Sequence, residues 1–403
     1  MKTIQCYIAA MILASVTVCV GQPATNLGKI WAPEVKTFVD KKTNVTITQL
    51  TNYKGHSHHF YFTNPGWYNG GDNLLFSSDR NNRTNLFGID LNTYEIQQLT
   101  ELEPLPLPHE IEFFSASKNP AKEEAYFWHG QNLIGLDLKT QNTKVLLALD
   151  NKWATSMTNC SADGKYVYFG IWEDQSDKFE VDILRGYVGF NETWQAKPLS
   201  RVMRVAVDGS GSEVVFEAQY WIGHINTSPA RSDLLTFCQE GPWKKVEHRI
   251  WGLNAETKEV WKIRPRNEAG ERIGHEYWYA DGETLGFHGS RDDKGFLGRT
   301  RYDNSQLIEA EFPGTTGHIH SNDHNLIVGD GDGVIRLWKW NGSTYEGPRI
   351  LCGHNSTLNI QQTHPHPRFS PDGKQVIFTS DMSGYSNVYL VDVPDFYSLP
   401  MVK

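Results

Sequence analysis

Two histidines separated by one residue open the chemical reading of this chain. In Gln361-Gln362-Thr363-His364-Pro365-His366-Pro367, an extended backbone turns alternate side chains to the same side, so His364 and His366 face one way. Pro365 and Pro367 have no N–H to give a neighbouring strand, so the segment is not an ordinary central strand. Two imidazoles on one side with Gln361 just upstream form half of a metal site. The other half is offered by His318-Ile319-His320-Ser321-Asn322, in the matching place of the preceding repeat. The bland alternative is a polar channel in which these rings are simply hydrogen-bonded.

Histidine also recurs at a fixed place in the chain's internal repeats. His56, His58 and His59, then His224, His275, His318 and His320, and finally His364 and His366 each lie just upstream of a repeat's turn. If that place belongs to an innermost strand or its feeding loop, residues remote in sequence meet on one rim.

The repeats that would position them are short: a turn of Asp, Gly or Asn, a strand ending in an aromatic, a polar hairpin, a second strand ending in Asp, and a third strand. NGGDNLLFSSDRNNRTNLFGIDLNTYEIQQLT from Asn69 and SPDGKQVIFTSDMSGYSNVYLVDV from Ser370 are the clearest of seven copies. Units of this kind, roughly 40 to 50 residues long, predict an all-β, seven-bladed β-propeller, because each unit can bury its faces only against its neighbours. Strands between Val35 and Leu50 are expected to complete the last blade and leave no open edge. The segment from Asp174 to Ser200 breaks the pattern and is expected to be a functional loop.

Composition agrees with this architecture. The 403 residues include 35 glycines and 18 prolines, with 12% aromatic and 39% hydrophobic residues, which suits many short strands joined by tight turns. A formal charge of −9 and the lack of a basic run argue against nucleic acid as a partner. Residues 1–21 read as a secretory signal: one lysine, an apolar stretch too short for a membrane span, then Cys19-Val20-Gly21. This predicts an exported protein, periplasmic or secreted, with residues 22–403 as a single propeller domain and no membrane span. Cys19 as a lipid-attachment site is the less favoured alternative, since Val16-Thr17-Val18 is a poor match. Cys160, Cys238 and Cys352 are odd in number and widely spaced, which speaks against a disulfide framework while leaving one pair possible.

The final repeat's SPDGKQVIFTSD is similar to TolB-type propellers, which bind partners without catalysis. A wider resemblance covers nearly all of residues 22–403: WIGH (Trp221–His224), CQEGP (Cys238–Pro242), GHEYW (Gly274–Trp278), GHIHSN (Gly317–Asn322), VGDGDG (Val328–Gly333) and QQTHPHPRFSPDGKQVIFTSD (Gln361–Asp381) resemble oligogalacturonate lyases. The resemblance implies a seven-bladed propeller that cleaves short pectin fragments by metal-assisted β-elimination. It places the metal ligands on His318, Gln361, His364 and His366, and the general base on His275. It also implies manganese, where imidazole-rich ligation alone points to zinc. His58, His224 and Arg249 fall in similar segments and are expected to contact the acidic oligosaccharide. The chain departs from the family pattern at Ser228-Pro229, in place of Arg-Pro, and at Gln239, in place of His; Arg231 is the expected stand-in for the missing arginine.

Three functions are therefore open: a metal-dependent uronide lyase, a non-catalytic binding propeller, and a metal-dependent propeller enzyme acting on another sugar or by hydrolysis. The last should carry an acid/base carboxylate pair in place of a lone histidine base.

Overall fold

The computed structural model describes residues 25–107, 109–266, 270–292 and 294–402. The segment read as a secretory signal, with Cys6 and Cys19, lies outside the described residues. Within them the chain forms seven antiparallel sheets in succession, each built outward from an inner strand. This is the seven-bladed propeller that the repeats predict.

The blades hold together through the seams between them. Seven clusters of buried apolar side chains each join two neighbouring blades, including one between the first and last. Trp338 of the sixth blade, fully buried, packs edge-on against Phe312 of the fifth, 5.2 Å between ring centroids. Truncating such a side chain to Ala costs about 3–5 kcal/mol, because the gap cannot close between two rigid sheets.

Closure mixes the two ends of the chain. In the seventh blade, Arg368–Phe369, Gln375–Ser380 and Asn387–Asp392 are followed outward by Thr46–Gln49 and Lys36–Val39, with Ile47 opposite Val391. The short strand Ile30–Trp31 passes on to the outer edge of the first blade, pairing with Ile96–Gln98.

The inner strands of three successive blades carry histidines: Ile222–Thr227 of blade four, Arg272–Trp278 of blade five and Ile319–His320 of blade six. The first two lose register at the same place, between Ile222 and Ile225 and between Gly274 and Tyr277. Both irregularities fall on a Gly-His pair, and an irregularity of this kind re-aims a side chain that plain alternation would direct elsewhere. At His275 the backbone adopts φ 51°, a left-handed value uncommon outside glycine and recurrent where structure is held under strain for function.

Cys160, Cys238 and Cys352 are all buried free thiols, so the one pairing left open by the sequence does not form among them. No helix of the described residues is long and apolar enough to cross a membrane.

Candidate active site

Residues of blades two to six, with Tyr61 and Gln361 from the connections on either side, surround a cavity of about 1670 Å³ on one rim. His224, Arg249, His275, His318 and Gln361 line it. At its base His318, His364 and His366 converge, each offering a ring nitrogen within 4.8 Å of the others.

Each of the three is aimed by a different contact. Asp330 accepts the His318 backbone N–H at 2.8 Å and lies 3.0 Å from its Nδ1, so Nδ1 carries the proton and Nε2 is free. The approach is close: a Cβ on Gly317 would fall 2.3 Å from the same carboxylate, so only glycine fits there. His364 directs Nε2 at the Leu358 carbonyl, 3.3 Å away, leaving Nδ1 unprotonated.

His366 is fully buried, with φ 45° and, among the described residues, no hydrogen-bond partner on either ring nitrogen. Burying two bare nitrogens is costly unless something else takes up a lone pair. His59 braces it from behind, its Nε2 2.9 Å from the His366 carbonyl. Burial, with neighbouring histidines, pushes the His366 imidazolium well below the ordinary histidine range, and His364 down to about 4. Neutral imidazoles at His364 and His366, with unclaimed lone pairs, are donors of the kind a divalent ion takes, and His318 points its Nε2 away from Asp330 toward the same place.

Gln361 lies in the short turn Gln361–Thr363 and faces the segment that broke the repeat pattern. That segment runs as a strap from blade three, through the helix Phe190–Ala196, and lines the cavity with Val181 to Leu184 and Tyr187. Tyr187 Oη accepts a hydrogen bond from Gln361 Nε2 at 2.8 Å, which turns Oε1, the atom able to bind a cation, away from the tyrosine. Arg185 ties the strap to Glu110 and is held within the strap by Asp182.

The ring of His275 stands 4.6 Å from that of His318. Its Nδ1 is 2.7 Å from the Gly317 carbonyl, which can only accept, so Nδ1 holds the proton and Nε2 is the basic nitrogen. His288 Nε2, at 2.9 Å, is a second acceptor for the same N–H. Burial, with His318 and His288 alongside, pushes the His275 imidazolium well below the usual histidine range. The ring is therefore a neutral base at neutral pH.

The remaining expected contacts divide. Arg249 reaches the cavity nine-tenths and more buried, with Nη1 2.6 Å from Glu240 Oε1. His224 Nε2 is 3.8 Å from the other oxygen of the same carboxylate. Sequence reasoning did not single out Glu240, although it stands in the CQEGP segment; a carboxylate beside an expected arginine was the available signal. His58 does not line the cavity. Its ring is buried, stacked on Phe114 at 4.0 Å, with Nδ1 directed to the His59 carbonyl, so the structure does not bring it together with the residues that line the cavity. Arg231 is no stand-in for a missing arginine either: Asp233 holds its guanidinium at 2.9 Å, beneath Tyr302 and away from the cavity lining. Ser228 is fully buried and hydrogen-bonds the Gly282 carbonyl at 2.7 Å.

Residues 26–345 and 352–397 match the family model for oligogalacturonate lyase. The chain belongs to the oligogalacturonate lyase family. These are carbon–oxygen lyases, and the relatives match end to end. An oligogalacturonide lyase of Pectobacterium atrosepticum is 28% identical over 89% of this chain and 96% of its own length. An oligogalacturonate lyase of Dickeya dadantii is 26% identical over 91% of this chain and 98% of its own. Among solved structures, an oligogalacturonate lyase in complex with manganese superposes with a TM-score of 0.83 at 26% identity, covering 92% of this chain and 99% of that one. An oligogalacturonate lyase from Vibrio parahaemolyticus gives 0.82 at 25% identity, covering 92% of this chain and all of that one.

Proposed function

We propose that this member of the oligogalacturonate lyase family cleaves oligogalacturonides by β-elimination, with His275 as base and a divalent ion held by His318, His364, His366 and Gln361. The observation that carries this reading is the pairing of a neutral, tautomer-fixed His275 with the three converging imidazoles next to it. Manganese is the favoured ion, by likeness to the manganese-bound relative; zinc would suit the imidazoles equally.

The reaction requires removal of a weakly acidic proton, the C5–H beside a carboxylate that is already anionic. A bound divalent ion supplies positive charge to that carboxylate as its negative charge grows. His275 Nε2 accepts the C5 proton, while Gly317 and His288 hold the ring's other side and so fix its direction. The C5–H electrons form the C4=C5 double bond, the C4–O bond breaks, and the departing oxygen takes a proton. Arg249 and His224, gathered around Glu240, form the polar wall next to the base and are placed to meet hydroxyl or carboxylate oxygens.

The decisive assay is near-ultraviolet absorbance of a 4,5-unsaturated product from short oligogalacturonides, with and without added manganese. Absence of that absorbance from every acidic oligosaccharide offered would end the lyase reading and favour a binding propeller. Reading residues 1–21 as a secretory signal, we propose export from the cytoplasm, which cell fractionation tests.

A further inference from the structure

The strap that leaves blade three is fastened to parts of the rim far from its own blade. Arg185 pairs with Glu110, in the connection between blades one and two. On blade four, Phe190 packs against Trp221, 5.3 Å between ring centroids, and Trp194 lies so near Gly241 that a Cβ there would fall 2.4 Å from the indole. The remaining attachment is to the turn before blade seven. There the Gln361 N–H donates to the Leu184 carbonyl at 3.2 Å, and Gln361 Nε2 donates to Tyr187 Oη at 2.8 Å.

Tyr187 reaches this contact from a strained backbone. Its φ is 55°, with Gly186 at 71° before it and Gly189 at 76° just after. Glycine enters that region freely and tyrosine does not, so something must hold Tyr187 there. Burial supplies little of the hold, since the residue is 51% exposed. The hydroxyl's bond to Gln361 and the edge contact with Phe190, 5.9 Å between centroids, supply it instead.

The two ends of an amide are alike in shape and opposite in chemistry: the oxygen can take a cation, and the NH₂ cannot. Leu184 fixes the backbone of Gln361, the Gln361 carbonyl accepts the His364 N–H at 3.1 Å, and Tyr187 claims the NH₂ end. The strap therefore decides which atom of Gln361 is left for the histidine cluster.

We infer that Tyr187 is a positioning residue for the metal site, presenting the oxygen of Gln361 to the ion, and that the Arg185–Glu110 pair keeps Tyr187 in place, so that docking of the strap and binding of the ion strengthen each other. The inference rests on the reading of Gln361 as a metal ligand and deepens it, by making residues that touch no ion part of the ion's affinity. Such coupling is reciprocal: the factor that the docked strap adds to the ion's affinity, the ion adds to the strap's docking.

Manganese titration of the full chain, followed by electron paramagnetic resonance, tests this without turnover. Tyr187→Phe keeps the ring beside Phe190 and loses only the acceptor, and it should weaken manganese binding by about 10-fold or more. Arg185→Gln, whose lost partners are Glu110 and Asp182, should weaken it in the same direction. Adding it to Tyr187→Phe should cost little more, because both act through one contact, and in a Gln361→Ala background Tyr187→Phe should have no further effect. Hydrogen exchange reads the reverse arm at Asp182 and Val188, whose amides bond each other's carbonyls across the strap at 3.1 Å. Manganese should slow exchange there in the wild type and not in Tyr187→Phe, a transfer that a strap serving only to support the fold would not show. Weaker binding in Gln361→Ala with unchanged binding in Tyr187→Phe overturns the inference and leaves the ligand reading standing. Unchanged binding in Gln361→Ala removes both.

Discussion

Asp330 holds His318 twice, taking the backbone N–H on one carboxylate oxygen at 2.8 Å and facing the ring's Nδ1 with the other at 3.0 Å. A ring gripped in this way can turn neither about its side chain nor with its peptide, so Nε2 has a single direction. Asp330→Ala should lower manganese affinity by about 10- to 100-fold, the usual worth of a carboxylate behind a ligating histidine. Titration followed by the ion's electron paramagnetic resonance signal measures it, and an unchanged affinity would remove Asp330 from the site.

His366 makes a different kind of test, because its two ring nitrogens have no partner among the described residues. Removing the ring relieves two unsatisfied nitrogens but opens a cavity, so the variant's own metal-free Tm is the baseline, and the same change should abolish the ion's hold. The expected outcome is a Tm that rises with manganese in the wild type and is insensitive to it in His366→Ala, following from ligand binding to the folded state alone. A manganese-dependent Tm that survives in His366→Ala would place the ion elsewhere.

For His275, metal and base should separate. His275→Ala is expected to keep its manganese while turnover falls by roughly two to four orders of magnitude, the range for losing a positioned general base. His275→Asn preserves more of the volume and should fare no better, since an amide cannot accept the C5 proton. Near-normal turnover in both variants would move the search for the base to His224, the equivalent Gly-His residue one blade earlier.

Much of this site could be read from residue types because a propeller repeats its geometry. Seven similar strand patterns mean seven seams, and a histidine found at the same place in several repeats must come to the same radius. The Gly-His pairs at Gly223, Gly274 and Gly317 carry this regularity visibly. What spacing cannot express is where a side chain points once the strand departs from plain alternation, as it does at His224 and His275. His58 shows the converse: it lies on an inner strand as expected, yet its ring turns into the seam against Phe114. Long-range pairings are equally invisible. Nothing local in the Asp174–Ser200 segment announces that Tyr187 will reach Gln361, 174 residues further on, or that Arg185 will fasten to Glu110.

The Arg249–Glu240 pair makes a pH-dependent prediction away from the metal. Burial alone would raise the Glu240 carboxyl, but Arg249 and His224 outweigh it and bring it from an ordinary 4.5 down to about 2. A carboxyl whose folded pKa is depressed binds fewer protons folded than unfolded between those values. Its contribution to stability is therefore fully present above about pH 4.5 and drains away as pH falls toward 2. Glu240→Gln should remove that part of the acid sensitivity. It should also destabilise the protein at neutral pH, by up to about 3–5 kcal/mol, because buried Arg249 loses its hydrogen-bonded carboxylate and keeps only the more distant Glu276 as a counter-charge. Replacing both residues by uncharged ones of similar size should restore much of the lost stability without restoring activity, since Arg249 belongs to the polar wall beside His275. Denaturant unfolding of the wild type, the single variant and the double variant between pH 2 and 7 supplies the whole comparison. A Glu240→Gln protein that is as stable as the wild type at pH 7, with the same acid limb, would show that the pair carries no net charge coupling in the folded state.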